Sequence, residues 1–197
     1  MRAVPDSIAD RLEPAATVFA SRGFDQTRLE DLAEVTGVPR ATLYYYFAGK
    51  EEILAWLIRR TLAAITEAVG GAAAGEGKAS ERLEAIMTAM LRTMSAHPDT
   101  CTLLVSESGR IMRMPELGAA IEQGFHQPVQ RVLAEGQSDG SLRALESTET
   151  ASSVIWGAVF AAGVHYQVAG QKIDPDQVGP EVVELLLGGL TPDGTRS

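Results

Sequence analysis

TRLEDLAEVTGVPRATLYYYFAGK, residues 27–50, reads as two short helices joined by a glycine turn. Thr27, with Glu30 three residues later, forms the T-x-x-E pattern of a capping box. In that motif the hydroxyl and the carboxylate each satisfy a free backbone N–H, so Thr27 is the expected N-cap. Leu29, Leu32 and Ala33 then share one face, with Glu30, Asp31 and Glu34 largely on the other. Gly37 is expected to end the helix in the left-handed conformation that only glycine adopts without steric cost. Val38 is an apolar plug for the turn. Pro39 opens the second helix, because the first N–H groups of a helix lack partners in any case. Leu43 and Phe47, four apart, give this helix an inward face. Arg40 and Tyr44, Ala41 and Tyr45, and Thr42 and Tyr46 form three outward stripes. Three consecutive tyrosines span about 200° at 3.6 residues per turn, so a thin domain does not bury all of them. A guanidinium, a hydroxyl and phenols on a short exposed face suit phosphate oxygens and base edges. Ala41 is small enough to admit the groove floor, and Lys50 is expected to reach a backbone phosphate. This is the build of a helix-turn-helix whose second helix enters a DNA major groove.

The wider segment GFDQTRLEDLAEVTGVPRATLYYYFAGKEEIL resembles the DNA-binding domain of the TetR family of transcriptional regulators. The resemblance runs from about Ala15 to Leu54. It rests on Ala15, Ala16 and Phe19, on Gly23-Phe24, on Thr27, on Thr36-Gly37-Val38, on the TLYYYF run and on Lys50-Glu51. It implies an all-α homodimer, with an N-terminal three-helix reader over residues 1–49 and a helical ligand-binding and dimerisation domain over 50–197. It also implies that a ligand weakens operator binding. Family contact positions fall on Thr27 (phosphate), Arg40, Ala41, Thr42, Tyr44, Tyr45, Tyr46 and Lys50, with Arg28 a further candidate. Two departures stand out. Pro39 replaces a frequent serine N-cap. Pro14 lies inside the expected first helix, where an interior proline costs about 3 kcal/mol. Either that helix kinks or its regular part begins near Pro14. Helical spacing of Ile8, Leu12, Ala15 and Phe19 across it favours a kink.

The chain has 197 residues, 45% of them hydrophobic, which is enough for a small domain and a larger helical one. The formal net charge of −9 argues against a protein that coats DNA nonspecifically. Residues 1–50 carry six basic and seven acidic side chains, leaving eleven and nineteen for the rest. The reader is therefore near neutral with a locally basic face, and the body is acidic. Binding then depends on a few placed contacts, which a dimer doubles. Cys101 is the single cysteine, so no intrachain disulfide forms, and a buried inert thiol is expected. No charged-then-apolar leader opens the chain. The longest apolar run, 154–164, is far short of the roughly 20 residues that cross a bilayer. A soluble cytoplasmic protein is expected.

The body reads as further helices over 50–69, 81–96, 101–110, 115–137 (with Pro128 as a kink), 146–169, and from Asp174 or Pro180 to 190, about nine helices in all. GGAAAGEGKAS, residues 70–80, reads as a linker, and SDGS, residues 138–141, as a turn. By resemblance, the last two helices form a four-helix dimer interface. Gly157, Ala158, Ala161, Ala162 and Leu186 are its expected residues, with an intramolecular contact as the other reading. Methionine fills irregular space and suits varied apolar ligands. Met87, Met90, Met94, Phe125, Trp156 and Phe160 are candidate lining, with His126 or Tyr166 as a polar group. Plain core packing reads each of them equally well.

An enzyme is not indicated. His97, His126 and His165 lack metal-ligand spacing, and no H-x-x-x-H, H-E-x-x-H or E-x-x-H occurs. The glycine-rich stretches match no phosphate loop, and no strand precedes Ser106-Glu107-Ser108-Gly109. No metal or cofactor is expected. The partners expected are operator DNA, an apolar small molecule and a second copy of the chain. The alternative is a small-molecule-binding or partner-binding protein on the same fold without a DNA role.

Overall fold

In the computed structural model, which describes residues 3–188, the fold is helical and no strand occurs among the described residues. The chain forms two compact units. One holds the residues up to Thr61 together with Pro98–Gly118, and the other holds Leu62–His97 and the residues from Ala119 onward. The boundary therefore differs from the one expected at residue 49. A central segment belongs with the N-terminal helices, and one long helix runs through both units.

The order is α1 (Asp6–Ala9), α2 (Pro14–Arg22), α3 (Leu29–Thr36), α4 (Arg40–Tyr46), α5 (Lys50–Ala73) and α6 (Ala79–Ala96). There follow α7 (Pro98–Ser106), α8 (Ser108–Ile111), α9 (Pro115–Ile121), a π-turn (Glu122–His126), α10 (Gln127–Asp139), α11 (Thr148–Val168) and α12 (Pro175–Leu187). The pieces outnumber the nine expected because several of the expected helices are divided. Pro14 does not kink a continuous helix. It sits in the first turn of α2, where its missing N–H leaves no bond unmade. Leu12, Ala15, Ala16 and Phe19 are buried on either side of that break.

In the first unit, α2 packs against α3 and α7. The buried face of α7 is Thr100, Cys101, Leu103 and Leu104, and the Thr17 hydroxyl of α2 donates to Asp99. Burial pushes the Cys101 thiol up to about 12, so it is a neutral packing group at physiological pH.

In the second unit, α10, α11 and α12 all pack on α6. Helix α6 contributes Leu83, Ile86, Met87, Met90, Leu91 and Met94 to that core, each worth about 1.5–3 kcal/mol when fully buried. Gly70 and Gly71 do not start a linker, because α5 continues to Ala73. Val69 and Ala73 are buried there, and the Arg82 guanidinium caps the Ala73 carbonyl from Nε at 2.9 Å. That bond satisfies one of the carbonyls a helix end leaves open. Residues 115–139 stay helical through Pro128 because a π-turn precedes it, with the Gln127 N–H donating to the Glu122 carbonyl. Proline 128 has no N–H for the carbonyl of Gly124, and the π-turn accommodates that loss. Asp174 accepts the Asp176 N–H at 3.1 Å and caps α12. The expected end of that helix at 190 lies outside the described residues. No described helix is long and apolar enough to cross a membrane.

Candidate nucleic-acid interface

Helices α3 and α4 are positioned by local bonds that differ partly from the sequence expectation. The Thr27 hydroxyl is not the N-cap of α3. It is buried and donates to the Gly23 carbonyl at 2.8 Å. Arg28 takes the N-cap position, and its backbone N–H donates to the Asp31 carboxylate at 2.7 Å. Only the carboxylate half of a capping box forms, shifted by one residue, because a guanidinium cannot accept the N3 N–H and the Thr27 hydroxyl has turned inward. A Thr27 side chain that is 1% exposed is not a surface phosphate ligand. At the other end, Gly37 adopts φ 62° and ψ 13°, the expected left-handed cap. The Arg11 guanidinium donates to the Gly37 carbonyl, and Thr36 Oγ1 accepts the Val38 N–H at 3.2 Å. Pro39 is the N-cap of α4, and its carbonyl accepts from Thr42 and Leu43 at 2.8 and 3.0 Å.

Leu43 is the single fully inward residue of α4, and Phe47 just beyond it is buried against Trp56 with ring centroids 6.2 Å apart. The outward face then follows from helical geometry. Arg40, Ala41, Tyr44 and Tyr45 are exposed, and Thr42 and Tyr46 are half-buried. Tyr44 and Tyr45 are 56% and 59% exposed, unusual for large aromatic side chains with no apolar role at that surface. The Tyr45 and Tyr46 rings meet edge to face at 4.9 Å. Arg40 pairs with Glu30 of α3 at 2.8 Å and lies 6.0 Å from the Tyr44 ring centre. Both members of that pair are about half exposed, so it contributes about 0–1 kcal/mol. Arg28 is exposed beside this face.

Lys50 differs from the expectation. Its ammonium donates to the carbonyls of Phe24, Asp25 and Thr27 at 2.7, 3.2 and 2.9 Å. An ammonium has three protons, and here each has a carbonyl, so reaching a phosphate means breaking these bonds. Sequence reasoning missed this anchoring role, since carbonyl acceptors carry no side-chain signature.

The candidate ligand residues divide into two groups. Met87, Met90, Met94 and Phe125 are fully buried, and Trp156, Phe160, His126 and Tyr166 are half-buried. Phe125, His126, Trp156 and Phe160 do form one aromatic cluster, with centroids 4.9 Å apart for Phe125–Trp156 and 5.6 Å for Trp156–Phe160. His126 Nδ1 lies 3.2 Å from the buried Ser152 hydroxyl, which itself donates to the Glu149 carbonyl. Tyr166 sits instead against His165. Met94 packs where a side chain on Gly163 would stand. A cavity of about 610 Å³ lies elsewhere, lined by residues that include Arg143, Leu145, Thr150, Val154, Ile155 and Leu186. None of the candidate ligand residues lines it. Of the candidate dimer residues, Gly157 and Ala161 are exposed, and Ala158, Ala162 and Leu186 are half-buried. Val154 and Leu185, 56% and 81% exposed, extend that apolar surface. Val154 lies one helical turn before Gly157 and Ala158.

Two family profiles match the chain. Residues 12–57 match that of the bacterial regulatory proteins of the tetR family. Residues 76–190, more than half of the chain, match the tetracyclin repressor-like C-terminal domain. The HTH-type transcriptional repressor KstR2 of Mycobacterium tuberculosis (strain H37Rv) is 25% identical over 185 residues, covering 93% of this chain and 92% of the relative. The structure of the ketosteroid transcriptional regulator KstR2 of M. tuberculosis is similar at TM-score 0.80 and 24% identity, covering 97% and 98% of the two chains. The transcriptional regulator FadR of Bacillus subtilis, solved in complex with stearoyl-CoA, is similar at TM-score 0.80 and 21% identity, covering 92% and 98%. With its reader helices, its helical body and both profiles in agreement, the chain belongs to the TetR family of bacterial regulatory proteins and is a DNA-binding transcriptional regulator.

Proposed function

We propose that this protein is a cytoplasmic homodimeric repressor that leaves a palindromic operator when an apolar acyl compound, free or as its coenzyme A thioester, binds the body. The observation that carries the DNA half is the exposed face of α4, where Arg40, Ala41, Tyr44 and Tyr45 stand together with Arg28 nearby. Phenols and a guanidinium on a helix that buries one residue have little structural purpose and suit a groove. The effector class is supported by the FadR structure, whose bound molecule is stearoyl-CoA, and by a body whose core is rich in methionine and aromatic side chains. Action is by binding rather than catalysis.

The dimer reading rests on the apolar surface of α11 and α12. Val154, Gly157 and Ala161 recur at helical spacing, and Leu185 is almost fully exposed. Water contact by such a patch is relieved when a second copy covers it. Two copies then present two α4 helices to half-sites about 34–36 Å apart or a related spacing. Helix α5 is continuous from Lys50 to Ala73 and joins reader to body through the chain itself, so a ligand that favours one body conformation changes the half-site fit. The test titrates stearoyl-CoA, stearate and coenzyme A into the complex of the protein with a duplex recovered by random-site selection. Release by an acylated compound and not by coenzyme A supports the reading. A complex indifferent to all three contradicts the effector class and leaves the DNA half standing.

A further inference from the structure

The turn that delivers the chain into α3, residues 24–27, is held by two cations from outside the helix-turn-helix. Lys50, at the start of α5, occupies the carbonyls of Phe24, Asp25 and Thr27 and lies 4.4 Å from the Phe24 ring centre. Arg110 of α8 lies 3.9 Å from the centre of the same ring and donates from Nη2 to Asp25 Oδ1, 85 residues earlier in sequence, at 3.0 Å. Its Nε donates to Glu107 Oε2 at 3.2 Å, so its position is fixed from its own segment. The Phe24 ring is buried and stacks on Phe19 of α2 at 5.6 Å. Two cations beside one ring repel each other. They stay there because the ring, two carboxylates and three carbonyls surround them. If packing alone were required, an apolar side chain would serve without that repulsion.

We infer that Arg110 is a positioning residue for DNA recognition: it holds the turn at residues 24–27, and through it the start of α3, from a segment outside the reader's own sequence. The membership of Pro98–Gly118 in the same compact unit as the N-terminal helices fits this role. Arg110 does not itself meet DNA in this account, since its nitrogens face Asp25 and Glu107. The inference rests on α4 binding DNA.

The experiment uses full-length parent, Arg110→Ala, Arg110→Lys and Asp25→Asn, with a duplex enriched by the parent in random-site selection. Affinity is measured over a salt series, and amide exchange is followed for residues 24–27 without DNA. Arg110→Ala is expected to weaken binding about tenfold, in the range by which side chains outside a site alter binding. Its salt slope should match the parent's, and residues 24–27 should exchange faster. Arg110→Lys keeps the charge without the planar fork and should recover part of the affinity. Unchanged affinity in a folded Arg110→Ala protein overturns the inference. So does a salt slope reduced by about one, which marks a direct phosphate contact. If Arg110→Ala does not fold, Arg110→Lys and Asp25→Asn carry the test, and parental affinity in both overturns the inference. A parent that enriches no sequence at all is a failure of the DNA-binding reading instead.

Discussion

Helices α4 and α6 put their large side chains to opposite uses. The seven-residue α4 buries Leu43 and leaves two tyrosines more than half exposed. Over its eighteen residues, α6 buries Leu83, Ile86, Met87, Met90, Leu91 and Met94 and is the helix on which α10, α11 and α12 meet. An isolated helix as short as α4 is unstable in water, so its shape comes from Gly37, Pro39 and the Phe47–Trp56 contact. Because its stability is supplied at its ends, its middle is available to another molecule. The exposed face of α6 carries only Glu81, Glu84, Ala85, Arg92 and Ala96, with no large apolar or aromatic side chain. Substitutions in α6 should therefore change stability, and substitutions on the outer face of α4 should change binding.

The largest break expected is at the body core. Met90→Ala removes a fully buried side chain and should cost about 2–5 kcal/mol, read as a lower denaturant midpoint. A loss under about half a kcal/mol would mean that α6 borders open space. Next is Gly124, in the π-turn, where an added Cβ would stand 2.0 Å from Thr66 Oγ1 and 3.0 Å from Thr66 Cβ. Gly124→Ala should cost about 1–3 kcal/mol of overpacking, also visible in the denaturant midpoint. Tyr45→Ala sharpens the contrast from the other side. It should weaken operator binding by about 1–3 kcal/mol with an unchanged melting temperature. Loss of stability with unchanged binding would place α4's working face elsewhere. The smallest effect concerns Cys101. The folded protein retains a proton that the unfolded chain releases above the ordinary thiol value of 9.0, and the folded value is about 12. Its contribution to stability is complete below pH 9 and is lost between pH 9 and 12. Alkylation of native protein at pH 8 should accordingly proceed no faster than unfolding, as followed by mass spectrometry.

What the sequence revealed follows the reach of each signal. Gly37, Pro39, Leu43 and the tyrosine run act within a few residues, so the helix-turn-helix and its outward face were legible. Helix periodicity similarly marked the buried face of α6. Thr27 was misread because two adjacent carboxylates, Glu30 and Asp31, can each cap from the N3 position, and Asp31 captured the Arg28 N–H while Thr27 turned to Gly23. Gly70 and Gly71 suggested a linker, but the buried Ala73 and the Arg82 cap hold that last turn. Each glycine costs about 1 kcal/mol relative to alanine in a helix, which those contacts offset. Arg110 beside Phe24, and the carbonyl cage of Lys50, depend on residues that are distant in sequence. Composition and periodicity carry no trace of such contacts. The 610 Å³ cavity was missed for the same reason, since it is formed by the 143–147 segment meeting α11 and Leu186.

The most direct test of the central claim is random-site selection with the full-length chain, followed by anisotropy binding of the enriched duplex by parent and Tyr45→Ala proteins. A palindromic sequence bound as a dimer, with strong salt dependence and clear weakening in Tyr45→Ala, is the expected result. No enriched sequence, or an enriched duplex that Tyr45→Ala binds as tightly as the parent, would contradict the account of α4 as the helix that reads DNA.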